Sequence, residues 1–271
     1  MGSDSSRIVA WLRGRMAAAG ARGFVVGLSG GVDSAVVARL CQIAAPDAVL
    51  GVIMPCHSDP RDERDAKLVA DHFGVATTRA DLALPYDQFT NTLGDALALL
   101  PASQRTAPGA AGATDIRARV PLANVKPRMR MATLYFLANS LNYLVAGTGN
   151  RSELAIGYFT KYGDGGVDLL PLGHLLKSEV RALARELGVP ASIIEKPPSA
   201  GLWPGQTDEV EMGFTYADLE NYLTGGPETV APALAMRIER LVRASEHKRT
   251  TPPTPDDGDQ LDDDQRLTTG D

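Results

Sequence analysis

Short apolar runs alternate with amphipathic stretches along most of the chain. An amphipathic helix over residues 7–19 is followed by FVVGL at 24–28, a run that is typical of a short buried strand. A second run, AVLGVIM at 48–54, is apolar throughout, which predicts a strand of a sheet covered on both faces. The other predicted elements are helices at 34–44, 61–73, 86–100, 122–142 and 175–188, and strands at 74–82 and 143–147.

Strands that alternate with helices predict an α/β fold with a doubly wound parallel sheet and helices on both faces, of the Rossmann-like type. In such sheets, ligands bind outside the carboxyl ends of the strands. Three polar or glycine-rich segments directly follow predicted strands, at 27–35, 54–58 and 147–150. We therefore expect these three loops to converge on one edge of the sheet.

Two segments depart from this alternation. Residues 101–121 are rich in Ala, Pro, Gly and Thr, which predicts a mobile insertion. In the acidic segment 251–271, prolines and aspartates occur without apolar periodicity, so we expect a disordered tail. Residues 1–250 are expected to form a single domain. Pro127 is expected in the first turn of the helix at 122–142, where proline is tolerated.

Composition narrows the class of protein. The 271 residues carry a formal net charge of −6, which argues against a broad nucleic-acid-binding surface. The two cysteines, Cys41 and Cys56, have no metal-ligand spacing and are expected to be reduced thiols. The N-terminus has no secretory signal, and no apolar segment reaches the length of a membrane span. We therefore expect a cytoplasmic protein that binds neither nucleic acid nor membrane.

The loop GLSGGVDSA at 27–35 indicates phosphate chemistry. A glycine-rich turn between a strand and a helix exposes backbone N–H groups that bind anions, and Ser29 and Ser34 add hydroxyl donors. Asp33 would repel a phosphate unless a divalent cation such as Mg²⁺ lay between them. The loop lacks the Gly-Lys-Ser/Thr ending of the P-loop. On spacing alone, a simple helix N-cap in a tight turn is an equal alternative.

SGGVDS at 29–34 resembles the pyrophosphate-binding loop of the N-type ATP pyrophosphatases, which share an adenine nucleotide alpha hydrolase-like fold. Further segments closely resemble the NAD⁺ synthetases, and the resemblance covers nearly all of residues 7–250. The chain begins about two dozen residues before its glycine loop, so we expect the ammonia-dependent type, without an N-terminal amidase domain. The segments that carry the resemblance are NVKPRMRMATLYFLAN (124–139), residues 144–190, KPPSAGLWPGQTDE (196–209) and EHKR (246–249).

The resemblance implies a reaction in which deamido-NAD⁺, ATP and ammonia give NAD⁺, AMP and pyrophosphate. ATP is then a co-substrate and Mg²⁺ the metal cofactor. The nicotinate carboxylate would first be adenylated, because AMP leaves readily and oxide does not. The resemblance also implies a homodimer, and it leaves open whether a separate glutaminase supplies the ammonia.

The resemblance also assigns roles to individual residues. Asp33 and Glu153 match the Mg²⁺ ligands, and Lys177 matches a lysine that contacts the ATP phosphates and could supply the cation that the loop lacks. Asp164, a carboxylate in a glycine-flanked loop, is our candidate for binding ammonium and taking its proton. His57 and Ser58 lie where the superfamily receives adenine and ribose. The positions that match ATP contacts are Gly27, Leu28, Ser29, Gly30, Gly31, Val32, Asp33, Ser34, Thr148, Lys177 and Ser199, and those that match substrate contacts are Arg128, Lys161, Asp168, His247 and Lys248.

Two alternative functions compete with this interpretation. One is another amide-forming or thiolating enzyme of the same superfamily, which would need an RNA-binding or glutaminase module. The other is a non-catalytic nucleotide-binding module, which would not need the carboxylates of Asp33 and Glu153.

Overall fold

A parallel sheet with helices on both faces organises the protein. The structure is a computed structural model that describes residues 4–104, 116–199, 201 and 206–255. The described strands are β1 (Gly23–Gly27), β2 (Val49–Ile53), β3 (Ala76–Arg79) and β4 (Tyr143–Val145). The described helices are α1 (Asp4–Ala18), α2 (Val32–Ala44), α3 (Pro60–Phe73), α4 (Ala83–Ala98), α5 (Ile116–Leu141), α6 (Arg151–Ile156), α7 (Lys177–Glu186), α8 (Ala191–Ile194), α9 (Asp208–Met212), α10 (Tyr216–Gly225) and α11 (Pro232–Ala244).

Successive side chains of β1 enter the apolar clusters on opposite faces of the sheet. Phe24 and Val26 are fully buried in a cluster with residues of α1, α2, α3, α7 and α8. Val25 is equally buried in a second cluster, with residues of β2 and α5. Because side chains alternate along a strand, a strand buried on both faces needs a continuous apolar sequence. The predicted double covering of the sheet is confirmed.

The strand order β3-β2-β1-β4 creates a crevice at β1. All three pairings are parallel, with β2 on one side of β1 and β4 on the other. The chain therefore builds the sheet outward through β2 and β3, then returns to the opposite side of β1. Ligands of doubly wound sheets bind at this switch point, beyond the carboxyl ends of the strands. The predicted fold class is confirmed.

Helix α5 begins six residues before the predicted start at residue 122, so the prediction that Pro127 lies in its first turn is wrong. Pro121 and Pro127 both lie inside the helix. An internal proline removes a backbone hydrogen bond and normally kinks or ends a helix. Pro127 is buried, and a β-carbon built on Gly163 would lie 3.0 Å from its own β-carbon. Close tertiary packing therefore accompanies the interrupted hydrogen bonding, and it is not visible in the local sequence.

Parts of three predicted segments lie outside the described residues. They are 105–115 of the expected insertion, 256–271 of the expected tail, and 200 and 202–205 of the segment 196–209. The mobility of the insertion, the disorder of the tail and the single domain over residues 1–250 all stay predictions. At the C-terminal end of the predicted insertion, residues 116–121 are helical, so the prediction of a loose connection is wrong there.

Strands β2, β3 and β4 are shorter than predicted, β2 by one residue at each end. Gly74 has a φ of 66° and ends α3, so β3 begins only at Ala76 rather than at residue 74. Strand β4 ends at Val145, and the next residue, Ala146, makes an isolated bridge to Leu169. Turn chemistry and a non-local bridge set these ends, whereas apolar character alone predicted longer strands.

A third apolar cluster lies beside the sheet, where α6, α9, α10 and α11 meet. Its buried members include Ile156 of α6, Leu219 of α10 and Ile238 of α11. This cluster anchors α6, the short helix that follows β4. Cys41 and Cys56 are buried and free. Within the described residues, the helices are too short or too polar to cross a membrane.

Candidate active site

A cavity of about 720 Å³ opens at the carboxyl edge of the sheet. The loops after β1, β2 and β4 all line it, through residues such as Asp33, His57 and Thr148. Its volume falls within the range of roughly 300–1,000 Å³ that is usual for small-molecule sites. The predicted convergence of three loops is confirmed. Carboxylates outnumber cationic side chains among the residues that line the cavity.

The glycine loop is held by its own two serines. Ser34 Oγ donates to the backbone carbonyl of Gly31 over 2.9 Å and accepts the backbone N–H of Ser29 over 3.3 Å. Ser29 Oγ in turn accepts the N–H of Gly31 over 3.2 Å. Gly31 is the N-cap of α2, and no side chain caps the helix. The start of α2 therefore lacks the side-chain acceptor that the simple N-cap alternative requires, which favours an anion-binding loop.

Gly30 and Gly31, the two central glycines of this loop, have different structural roles. Gly30 has a φ of 77°, and a β-carbon there would lie 2.5 Å from the carbonyl oxygen of Asp62 and 2.8 Å from the β-carbon of Asp65. Gly30 is therefore required for the close approach of α3. Gly31 lines the cavity, and its β-carbon would meet only Ser29 Oγ, at 3.3 Å. Open backbone faces the cavity at Gly31, while Gly30 lies outside its lining.

Lys177 lies between the two predicted metal-binding carboxylates. Its ammonium group donates to Asp33 Oδ2 over 2.5 Å and to Glu153 Oε1 over 3.2 Å, and its side chain is only 3% exposed. Asn150 Nδ2 also donates to Asp33 Oδ1, over 2.9 Å. The predicted contact of Lys177 with ATP phosphates stays a prediction, since the ammonium is held here by the carboxylates.

Local structure explains how three residues so distant in sequence meet. Asp33 lies in the first turn of α2, and Glu153 lies in the first turn of α6, within a capping box formed with Asn150. Lys177 is the first residue of α7. A lysine at a helix N-terminus opposes the helix dipole, so its position there is unfavourable for the helix. The ion pairs offset that cost.

Burial and charge perturb both ends of this cluster. Burial raises the pKa of Glu153 to about 7; the charge of Asp33 adds to this rise, and the charge of Lys177 opposes it. Burial alone would lower the pKa of Lys177, but the charges of Asp33 and Glu153 outweigh burial and raise it. Lys177 therefore stays charged, whereas Glu153 is poised to gain or lose a proton near neutral pH.

The donor set fits Mg²⁺. Asp33 Oδ2 and Glu153 Oε1 converge on one cation position, which Lys177 Nζ takes here. Mg²⁺ is usually bound by one or two carboxylates together with substrate phosphates. Among the described residues, no group of three or more His, Cys, Asp or Glu side chains could hold a metal by itself. The arrangement suits an ion shared with the phosphates of a nucleotide.

Asp164 lies in the wall of the same cavity. Its Oδ1 accepts the backbone N–H of Thr160 over 2.9 Å. Burial raises the pKa of Asp164, while hydrogen bonds from the backbone and the charges of Lys248 and Arg130 oppose the rise. A carboxylate in this setting can bind a small cation and accept a proton from it.

Of the five predicted substrate contacts, all of them described, Lys248 lines the cavity and the other four do not. The ammonium of Lys248 donates to the carbonyl oxygens of Gly157 and Phe159, over 2.7 and 2.8 Å. Asp168 Oδ2 accepts the backbone N–H of Val145 over 2.8 Å, at the end of β4. The remaining three contact one another. Arg128 Nε donates to the carbonyl of Lys161 over 3.4 Å, and the ammonium of Lys161 donates to the carbonyl of His247. Their predicted role toward substrate is untested by this arrangement.

Arg130 was missed by the sequence reasoning. It lines the cavity, and its guanidinium donates to the carbonyl of Met54 and to Ser58 Oγ, each over 3.3 Å. His57 and Ser58 also line the cavity, and His57 has a φ of 53°. Left-handed backbone at a non-glycine residue is strained and concentrates at functional sites. The PRMR sequence carries two arginines, and only the packing of α5 shows which one faces the cavity.

Two further polar groups of the cavity wall gave no recognisable sequence signal. Lys196 donates to Asp62 Oδ1 over 2.8 Å and to Asp65 Oδ2 over 2.5 Å. Buried Asp208 accepts the hydroxyl of Tyr216 over 2.9 Å. Both lie in the segments that resemble a known family, but their partners come from distant elements.

The predicted ATP contacts that line the cavity are Gly27, Leu28, Ser29, Gly31, Val32, Asp33, Ser34, Thr148, Lys177 and Ser199.

Known proteins are similar to this chain in sequence and in fold. The NH(3)-dependent NAD(+) synthetase of Carboxydothermus hydrogenoformans is 50% identical over 251 residues, which cover 93% of this chain and 96% of that protein. The solved structure of NMN synthetase from Francisella tularensis is 35% identical with a TM-score of 0.81, and covers 93% of this chain and 97% of its own. The NH3-dependent NAD synthetase from Campylobacter jejuni is 27% identical with a TM-score of 0.71, at the same coverage.

A family model described as NAD synthase matches residues 5–252, which include every residue assigned to the site. Because that match spans far more than half of the chain, and the curated relative is similar over nearly its whole length, the chain belongs to the NAD synthase family.

Proposed function

We propose that this protein is a ligase that catalyses the ATP-dependent amidation of deamido-NAD⁺ with ammonia, giving NAD⁺, AMP and pyrophosphate. The observation that carries the proposal is the meeting of the glycine loop, the pair Asp33 and Glu153, and Asp164 in one cavity. Membership of the NAD synthase family supports it over a non-catalytic nucleotide-binding module or another superfamily enzyme.

The chemistry needs two displacements and no protein nucleophile. An oxygen of the nicotinate carboxylate attacks the α-phosphorus of ATP, and the bond from that phosphorus to the departing pyrophosphate breaks. Ammonia then attacks the acyl carbon of the adenylate, and the bond to the AMP oxygen breaks with its electrons. The chain contributes by positioning the reactants and by neutralising charge. The amides at the start of α2 would hold the departing pyrophosphate.

We assign Asp33 and Glu153 as the residues that would hold Mg²⁺. When bound, the ion would neutralise negative charge on the phosphates of ATP. The acidic lining supports this assignment, because two polyanionic substrates could not enter such a cavity without compensating cations.

Asp164 is proposed to bind ammonium and to take one proton from it. Its position in the wall supports the binding, and its raised pKa supports the proton transfer. A carboxylate attracts the cation, and a raised pKa improves the carboxylate as a proton acceptor.

The test is a reconstituted reaction. The protein is incubated with ATP, Mg²⁺, ammonium and deamido-NAD⁺, and NAD⁺ and pyrophosphate are measured. Equal formation of both supports the proposal. Nucleotide binding without turnover would favour the non-catalytic module, and an absence of NAD⁺ would overturn the proposal.

A second candidate substrate follows from one comparison. The solved NMN synthetase has a higher TM-score against this chain than the solved Campylobacter jejuni NAD synthetase, 0.81 against 0.71. The deamido form of NMN has the same nicotinate carboxylate, so the same two displacements would amidate it. The curated relatives favour the dinucleotide. Comparing kcat/KM for the two substrates decides between them.

We also propose that the protein is a homodimer. None of the described residues of α4 is buried. Its Leu97 is 63% exposed, and Phe136 of the neighbouring α5 is 71% exposed. Apolar side chains left exposed on adjacent helices favour association with a second copy, in line with the family resemblance. Light scattering with Leu97→Glu and Phe136→Glu variants tests this, and a monomeric wild type at micromolar concentration would contradict it.

We place the protein in the cytoplasm. The free state of Cys41 and Cys56 supports this compartment, because thiols stay reduced there.

A further inference from the structure

Helix α6 carries Glu153 but is too short to be stable by itself. It has six residues, whereas isolated helices shorter than roughly 12–15 residues are marginal in water. The capping box of Asn150 and Glu153 satisfies its first turn. The backbone N–H of the C-cap residue Gly157 donates to the carbonyls of Glu153 and Leu154, and helix-end carbonyls without such a partner need donors from elsewhere. Other parts of the fold must therefore hold its C-terminal end.

Arg249 adds side-chain donors at this end of α6. Its Nη1 donates to the carbonyl oxygens of Leu154 and Ala155, over 3.0 and 3.1 Å. The same guanidinium donates to Ser245 Oγ over 2.8 Å and to the carbonyl of Val242 over 2.7 Å. One planar group thus joins the end of α11 to the end of α6. Lysine could not reproduce this, since its three N–H donors sit on one nitrogen, whereas the guanidinium donates from both Nη1 and Nη2.

The surrounding contact is tight. Gly157 follows α6 with a φ of 66°, and a β-carbon there would lie 2.1 Å from the β-carbon of Ser245. Lys248 donates to two carbonyls just after α6, and Lys161 donates back to the carbonyl of His247. Residues 245–249, which we call the C-terminal clamp, are therefore cross-linked to residues 154–161 in both directions.

We propose that Arg249 is a positioning residue, which holds α6 so that Glu153 stays opposite Asp33 and Lys177. The inference rests on the proposed function, because it concerns the same carboxylate pair. Glu153 lies one residue before Leu154, the first carbonyl that Arg249 binds, so a displaced helix end moves the carboxylate directly. Loss of a group that orients a metal ligand typically costs about 10–100-fold in metal affinity or activity.

The test compares Arg249→Gln with Arg243→Gln. Arg243 is a matched control on the same C-terminal segment, since its side chain is 79% exposed and its ion pair is with Glu239 of its own helix. In Arg249→Gln, the Mg²⁺ concentration for half-maximal rate should rise by roughly tenfold or more. Arg249→Lys should show a smaller rise, of about threefold, because lysine keeps the positive charge and N–H donors but holds them on a single nitrogen.

Hydrogen exchange gives a readout that does not depend on activity. Backbone amides at 151–160 should exchange faster in Arg249→Gln than in the wild type, while those of α2 and α7 should be unchanged. Equal Mg²⁺ requirements and equal exchange in the Gln variants of Arg249 and Arg243 would overturn the inference. Faster exchange throughout the chain would also overturn it, since that indicates general destabilisation. If the wild type forms no NAD⁺, the proposed function fails, but the exchange result still judges the clamp.

Discussion

Replacing Lys177 with Met probes the charge cluster at the centre of the site. The variant removes an ammonium that lies 2.5 Å from Asp33 and 3.2 Å from Glu153, and leaves two carboxylates facing each other. Methionine has a similar length and no charge, so packing is nearly kept. Breaking a buried ion pair by removing one partner costs about 3–5 kcal/mol. At about 2–4 °C for each kcal/mol, Tm should fall by roughly 10 °C.

The size of the loss should depend on pH and on Mg²⁺. Without Lys177 the pKa of Glu153, already about 7, should rise further, because the charge that opposes the rise is gone. Protonation of Glu153 then removes one of the two unpaired charges, so the loss should be smaller at pH 6 than at pH 8. Mg²⁺ with ATP should restore more stability to the variant than to the wild type, since it neutralises the same carboxylates.

Chemical and thermal unfolding in EDTA measure this effect, with Lys67→Met as the control. Lys67 pairs with Asp71 on the exposed face of α3, so its replacement should cost less than about 1 kcal/mol. The double variant Lys177→Met, Glu153→Gln should be more stable than the sum of the single effects predicts, because the second change removes a stranded charge. A loss below about 1 kcal/mol for Lys177→Met, or strict additivity in the double variant, would refute the reasoning.

Four further predictions concern the loop, the ammonium site and the metal. Gly30→Ala should destabilise the fold by roughly 2–4 kcal/mol, because the new β-carbon would lie 2.5 Å from the carbonyl oxygen of Asp62 in left-handed backbone. The control Gly74→Ala has a similar φ but open space around it, so it should cost only about 1–2 kcal/mol. Equal losses of the two variants in denaturant unfolding would contradict this. Asp164→Asn should raise the KM for ammonium by about tenfold or more and leave the KM for ATP within about twofold, and unchanged values for both would rule out the assigned role. The raised pKa of Asp164 means that the fold favours its protonated form, so its contribution to stability is present at low pH and is lost as pH rises through that pKa. The difference in Tm between Asp164→Asn and the wild type should therefore grow with pH in favour of the variant. A difference that does not change with pH would contradict this. The apparent affinity for Mg²⁺ should fall by up to about tenfold per unit as pH drops below the Glu153 pKa of about 7, because the metal needs the ionised carboxylate, and an affinity that is flat between pH 6 and pH 8 would argue against Glu153 as a ligand.

The sequence was a good guide to the sheet and its ligand-binding edge. Continuous apolar runs at β1 and β2 are typical of strands covered on both faces, and the winding rules for parallel sheets then place the three loops together. These inferences depend on local patterns of apolar residues. The same patterns placed the start of this helix six residues too late and so misplaced Pro127, which lies close to Gly163, a residue far away in sequence.

The contacts within the site were much less predictable. Asp33 and Lys177 are 144 positions apart, and no local pattern indicates that the lysine lies between the two carboxylates. Family resemblance identified Asp33, Glu153 and Lys177 but not how they are arranged relative to one another. Arg130 shows the same limit, since two arginines two positions apart on a helix point in different directions, and the choice depends on how the helix packs.

The central claim is that the nicotinate carboxylate is adenylated before it is amidated. Deamido-NAD⁺ with both carboxylate oxygens labelled with ¹⁸O, incubated with the protein, ATP, Mg²⁺ and ammonium, tests it by mass spectrometry of the products. Adenylation predicts one ¹⁸O in AMP, one ¹⁸O retained in the amide of NAD⁺, and unlabelled pyrophosphate. Unlabelled AMP beside labelled NAD⁺, or the appearance of ADP and labelled phosphate, would contradict the account.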